Sequence, residues 1–195
     1  MTDHFAVLHL PRCAALDTDV VRQAFQNLAA KAHPDHAAAE GRTAAAAAFQ
    51  ALNAAQTVLA NTASRLLHLA ELVGGERPRG GVLGGDLLGL FARIGPALQV
   101  ADSVLHDVDA AQSALARALH APRRMAVDET LAGVGADLAA LRHALEEKLP
   151  VLDAALSADP ANALPQLAGL AQEAAFLTRW EAQLQQRRLR LVQAE

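Results

Sequence analysis

An all-α protein is what this chain predicts, and three observations carry that expectation. Alanine and leucine, both strong helix formers, supply most of an apolar content of 52%. Aromatic residues make up only 3% and tyrosine is absent, so the side chains that favour sheets are scarce. Apolar positions recur every three or four residues along most of the chain, which is the helical period. The 195 residues allow one large domain or two small ones, with apolar surface enough for a packed core.

In the first 75 residues the pattern predicts four helices. Phe5, Val7, Leu8 and Leu10 form a short one that ends before Pro11. Asp17 is placed to cap the next, with Leu16 and Val21 at staple spacing and Val21, Phe25 and Leu28 on one stripe. That helix must finish near Ala32, because His33 precedes a proline and is steered away from the helical region. The stretch 35–41 reads as a loop. A third helix then spans about 43–60, with Phe49, Leu52, Gln56 and Leu59 on one side. Asn61-Thr62 interrupts the pattern, and a fourth helix covers about 64–72. The second and third helices should form an antiparallel hairpin that buries Phe25 and Leu28 against Phe49 and Leu52.

Glycine pairs at 74–75, 80–81 and 84–85, with Pro78 among them, predict a linker over residues 76–85. No strand precedes this segment and no Gly-Lys-Ser/Thr follows, so it does not read as a phosphate-binding loop. Residues 86–195 predict three helices joined as a bundle. The first covers about 86–120, with a break at Gly95-Pro96 left open. The second carries Val127, Leu131, Val134, Leu138, Leu141 and Leu145. Pro150 and Asp159-Pro160 bracket the turn into the third, which is lined by Leu167, Leu170, Ala174, Leu177, Leu184 and Leu191. These long stripes could also pair between chains, so monomer and dimer both stay open.

Charge and composition exclude several functions. The net charge of -4 is spread evenly, with five basic and six acidic residues up to position 75 and twelve and fifteen after it. Such a balance does not suit a nucleic-acid or polybasic membrane binder. No run of about 18 apolar residues and no basic-then-apolar leader is visible, so a cytoplasmic protein is expected. The single cysteine, Cys13, cannot form an intramolecular disulfide; it reads either as a small apolar loop residue or as a reactive thiol. The eight histidines are scattered, with no ligand spacing, so neither metal nor cofactor is expected. No nucleophile, base and orienting group occur together, so the chain is not expected to be an enzyme. Arg187, Arg188 and Arg190 read as a solvated helix end.

The hairpin with His33-Pro34-Asp35 in its loop resembles the J-domain, whose HPD tripeptide joins helices II and III. The resemblance narrows to HscB, the co-chaperone of iron–sulfur cluster assembly. It rests on Phe5-Ala-Val-Leu-His-Leu-Pro11, Leu16-Asp17-Thr18, Phe25-Gln26-Asn27-Leu28, Leu52-Asn53 and the helix carrying Arg65. It is clear over residues 3–75 and faint beyond. The resemblance implies a J-domain at 1–75 and a C-terminal helical bundle at 86–195. It implies that His33, Pro34 and Asp35 dock on a DnaK- or HscA-type ATPase, with Asp35 pairing an arginine of that partner. Basic residues on helix II would steer the encounter, and Arg22 and Lys31 are the two this helix offers. Ala32 stands where an aromatic residue is usual, and His36 where a basic one is.

For the bundle, the resemblance implies binding of an iron–sulfur scaffold protein through Leu87, Leu88, Phe91 and Phe176. Core positions are an equal reading for Leu87 and Leu88. Where the family has acidic residues beside these positions, this chain has Phe91-Ala92-Arg93-Ile94-Gly95-Pro96. Two other readings remain: a J-domain protein with a different client, and a helical scaffold or dimerisation protein whose J-domain is inactive.

Overall fold

The structure is a computed structural model that describes residues 2–32, 42–74 and 85–193. Eight helices and no strand occur among the described residues: α1 His4–Val7, α2 Thr18–Ala32, α3 Arg42–Ala60, α4 Thr62–Gly74, α5 Gly85–Ala110, α6 Ala114–Leu119, α7 Ala121–Ala158 and α8 Pro160–Gln193. The HPD tripeptide, His33-Pro34-Asp35, lies outside the described residues, as do His36 and the linker apart from Gly85.

Local chemistry sets the early boundaries. The Asp3 carboxylate accepts from the Phe5 and Ala6 amides at the start of α1. At its end the Leu10 amide donates to the Phe5 carbonyl and His9 to Ala6, a Schellman closure with His9 at φ 55° where glycine is usual. Asp17 caps α2 by accepting from the Asp19 amide at 2.8 Å, and the staple residues Leu16 and Val21 are both buried. Asn61 caps α4 by accepting from Ser64. The expected hairpin is present: α2 packs on α3, with the Phe25 and Phe49 ring centroids 6.5 Å apart and Leu52 buried.

The later helices differ from expectation at Pro150 and near residue 110, and they answer the question left open at Gly95-Pro96. Pro150 does not end its helix, since α7 runs on to Ala158. A mid-helix proline costs roughly 3 kcal/mol, but here Leu149 and Leu152 are buried on either side of it. The turn lies wholly at Asp159-Pro160, where the Asp159 side chain accepts from the Asn162 amide and Pro160 takes the first helical position. Pro96 likewise sits inside an unbroken α5, flanked by buried Ile94 and Leu98. The segment read as one helix to about residue 120 instead breaks after Ala110, and Ser113 caps the short α6 by accepting from Ala116.

Contacts divide the chain into two compact units. One comprises residues 1–81 with 146–172, the other 82–145 with 173–195. The first unit therefore includes the end of α7 and the beginning of α8, which the order of residues along the chain does not reveal. By length and composition alone, Leu87–Ala110 of α5 is apolar enough to cross a membrane, and 33% of that stretch is buried. That differs from the expectation that no such segment exists. In the second unit this helix is tied laterally to its neighbours: Arg93 pairs with Asp137 of α7 at 2.7 Å, and Arg187 of α8 with Asp102 at 3.1 Å.

Candidate functional site

The candidate chaperone-docking site is framed by the facing ends of α2 and α3. Lys31 is exposed in the last turn of α2 and Arg22 is exposed two to three turns earlier, where it pairs with Asp19 at 2.9 Å. Lys31 also borders a groove of about 350 Å³ lined by Val7, Leu28, Ala32, Ala48, Ala51 and Leu52. Ala32 contributes only a methyl group to this lining.

At the opposite end of the hairpin, where α2 begins and α3 stops, a polar knot fixes its base. Arg65 of α4 is buried at 3% exposure, yet no carboxylate is among its hydrogen-bond partners. Its guanidinium donates to the Ala14 carbonyl at 3.0 Å, the Leu59 carbonyl at 2.7 Å and the Thr62 hydroxyl at 3.4 Å. Burial lowers its pKa, with the charges of Cys13, Glu146 and Asp153 opposing. Asp153 of α7 accepts from the Ala14 and Ala15 amides at 2.5 and 2.8 Å. The loop between α1 and α2 is thus held through both faces of its backbone. Burial, then the Asp153 charge, pushes the Cys13 thiol up, which disfavours the thiolate and makes Cys13 a packing residue.

A second polar cluster fixes α1 against α4. The His4 amide donates to Nε2 of buried His68 at 3.1 Å, and the Phe5 ring stacks on the same imidazole. Arg12 pairs with Asp3 at 2.7 Å. Burial alone would raise the Asp3 carboxyl, but hydrogen bonds from Arg12, Ala6 and Phe5 and the Arg12 charge hold it below its ordinary value. Burial and then the proximity of His68 lower His4, against Asp3 and Glu71.

In the second unit the four residues singled out from sequence take different positions. Leu87 is core, at 4% exposure; its side chain points away from solvent because it shares the inner stripe of α5 with Leu90 and Ile94. Leu88 and Phe91 stand out from the surface at 55% and 60% exposure. Phe176 is half-buried. Trp180 is buried and joins the other two aromatics: its ring centroid lies 5.9 Å from that of Phe91 and 5.7 Å from that of Phe176. The result is an exposed apolar face with a rigid aromatic floor. Arg187, Arg188 and Arg190 are not a merely solvated end: they pair with Asp102, Asp128 and Asp109. Among the described residues no three potential metal ligands cluster.

The family model of the DnaJ domain matches residues 3–68. Along most of its length the chain is similar in structure to chaperone HscB from Vibrio cholerae. The two are 16% identical with a TM-score of 0.61, over 95% of this chain and 96% of that one. The human co-chaperone protein HscB is also similar, at 16% identity and a TM-score of 0.63, over 95% of this chain and 82% of that one. No curated protein sequence matches. At these identities the likeness establishes the fold, an N-terminal J-domain followed by a helical region.

Proposed function

We propose that this chain, which carries a DnaJ domain at residues 3–68 and takes the HscB fold, is a co-chaperone that stimulates the ATPase of a DnaK-type partner. The DnaJ match over the hairpin is the observation that carries this reading, because His33-Pro34-Asp35 falls at the junction of its two helices. In this mechanism Asp35 supplies a carboxylate to an arginine of the ATPase domain, a charge-assisted contact. Pro34 restricts the backbone so that the contact is presented at low entropic cost, and His33 orders the loop by hydrogen bonding. Arg22 and Lys31 add positive charge that raises the association rate. No bond is made or broken by this chain. It acts by binding the hydrolysis-competent state of the partner more tightly than the other state.

The client proposed for the second unit is an iron–sulfur scaffold protein, held on exposed Leu88 and Phe91 and half-buried Phe176, while buried Leu87 serves the core. The fold shared with the two HscB proteins supports this reading, and the exposed aromatic face gives it a surface. The cytoplasm is the proposed setting. Absence of the expected acidic residues near Phe91 favours, as a second reading, a J-domain protein that serves another client.

The test is the steady-state ATPase rate of a DnaK-type chaperone from the same source. Added protein should raise it, and His33→Gln or Asp35→Asn should remove the rise while leaving helicity unchanged. An unaltered rate with the wild-type chain would refute the proposal.

A further inference from the structure

We infer that Arg179 selects a client segment in which a carboxylate stands beside an apolar anchor, an inference that rests on the client face proposed above. Arg179 is exposed on α8, and its guanidinium carbon lies 6.0 Å from the centroid of the Phe176 ring. The charge is thus held over the Phe176 ring, beside the apolar face that Phe176 shares with Trp180 and Phe91, while still open to solvent. Neighbouring charges are already engaged. Arg93 on α5 is paired with Asp137, and Glu181 is held by Arg142 through two contacts of 2.6 and 2.7 Å. Glu173, one turn before Phe176, is the other nearby charge described without an ion pair, but no ring contact holds it on the aromatic face.

Desolvation decides what can cover this surface. A partner that buries the Phe176 ring must also strip water from the guanidinium stacked on it. Without acceptors in return, that burial opposes binding. A carboxylate answers it best, because two oxygens match the guanidinium fork. A lysine or arginine at the same place on the partner is rejected by charge repulsion. The face therefore reads an acidic residue next to an aliphatic or aromatic side chain. This is the reverse of a client face that presents its own carboxylates, and it accounts for a face that binds without the missing acidic stretch near Phe91.

The experiment measures binding of an iron–sulfur scaffold protein to the full chain by calorimetry, for wild type, Arg179→Gln, Arg179→Glu, Glu173→Gln and Phe91→Ala. The expected result is a loss of about tenfold in affinity for Arg179→Gln, a larger loss for Arg179→Glu and a change within about twofold for Glu173→Gln. Raising the salt concentration should weaken wild type more than Arg179→Gln. Replacing the matching scaffold carboxylate by lysine should restore binding to Arg179→Glu. If Phe91→Ala loses binding while Arg179→Gln and Arg179→Glu do not, the face stands and the charge selection is overturned. If the scaffold does not bind, or Phe91→Ala binds as well as wild type, the client reading fails and this inference fails with it.

Discussion

Within each of the two compact units a different kind of polar contact predominates. In the first, buried or half-buried side chains bind backbone: Arg65 reaches the Ala14 and Leu59 carbonyls, Asp153 the Ala14 and Ala15 amides, and His68 the His4 amide. In the second, side chain mostly meets side chain near solvent, as in Arg93–Asp137, Arg123–Asp107, Arg187–Asp102 and Arg190–Asp109, although Arg124 also donates to the Leu191 carbonyl at 3.0 Å. A side chain that binds buried backbone leaves an orphaned group when it is removed, whereas an exposed ion pair returns both partners to water. The first unit, which carries the J-domain, should therefore tolerate change at these polar positions much less than the second, which carries the aromatic face.

The largest expected effect is at Arg65. Arg65→Ala takes the guanidinium donor from the buried Leu59 carbonyl and one of the two donors from the Ala14 carbonyl, which keeps the Leu16 amide. With the loss of its buried stem it should cost about 2–4 kcal/mol in urea unfolding, and Arg65→Lys should recover only part of that. Asp153→Ala comes next, at about 1–3 kcal/mol, because the Ala14 amide is enclosed while that of exposed Ala15 can turn to water. Costs below about 1 kcal/mol for both, the range expected of an exposed ion pair, would erase the contrast between the units.

Acidity sharpens the same comparison. His4 is lowered in the folded chain, so below about pH 6.5 the unfolded state takes up a proton that the folded state resists. Its contribution to stability is complete above that pH and is lost as the pH falls through the lowered folded value. Asp3 is also lowered, so its contribution holds above about pH 3.9 and is lost only in stronger acid. Urea midpoints taken from pH 7.5 down to roughly pH 5 should fall more steeply for wild type than for His4→Gln. Parallel curves would contradict this account of α1. The smallest effect belongs to the second unit, where Arg190→Ala should shift stability by about 0–1 kcal/mol, and by less at high salt.

The first 75 residues were legible because their signals are local. A cap at Asp17 and a staple at Leu16 and Val21 each act within one or two helical turns. The later proline signal misled at Pro150, and the break left open at Pro96 does not occur; at both, flanking burial outweighs the cost of a mid-helix proline. Long-range partners could not be read at all. Arg65 resembles a surface residue in an amphipathic pattern until α4 meets the Ala14 loop, and Asp153 lies about 140 positions from the amides it binds. On the candidate client face, Phe91 and Phe176 were identified from family resemblance and Trp180 was not. Nothing in periodicity distinguishes an inner aromatic floor from an outer contact until α5 and α8 are placed side by side.

Separation of two tasks on one chain is most directly tested by crossing two variants against two readouts. Asp35→Asn should abolish stimulation of the chaperone ATPase yet bind the scaffold as wild type does. Phe91→Ala should lose the scaffold yet stimulate the ATPase normally when no client is present. Variants that fail in both assays, or in neither, while remaining folded would contradict the account.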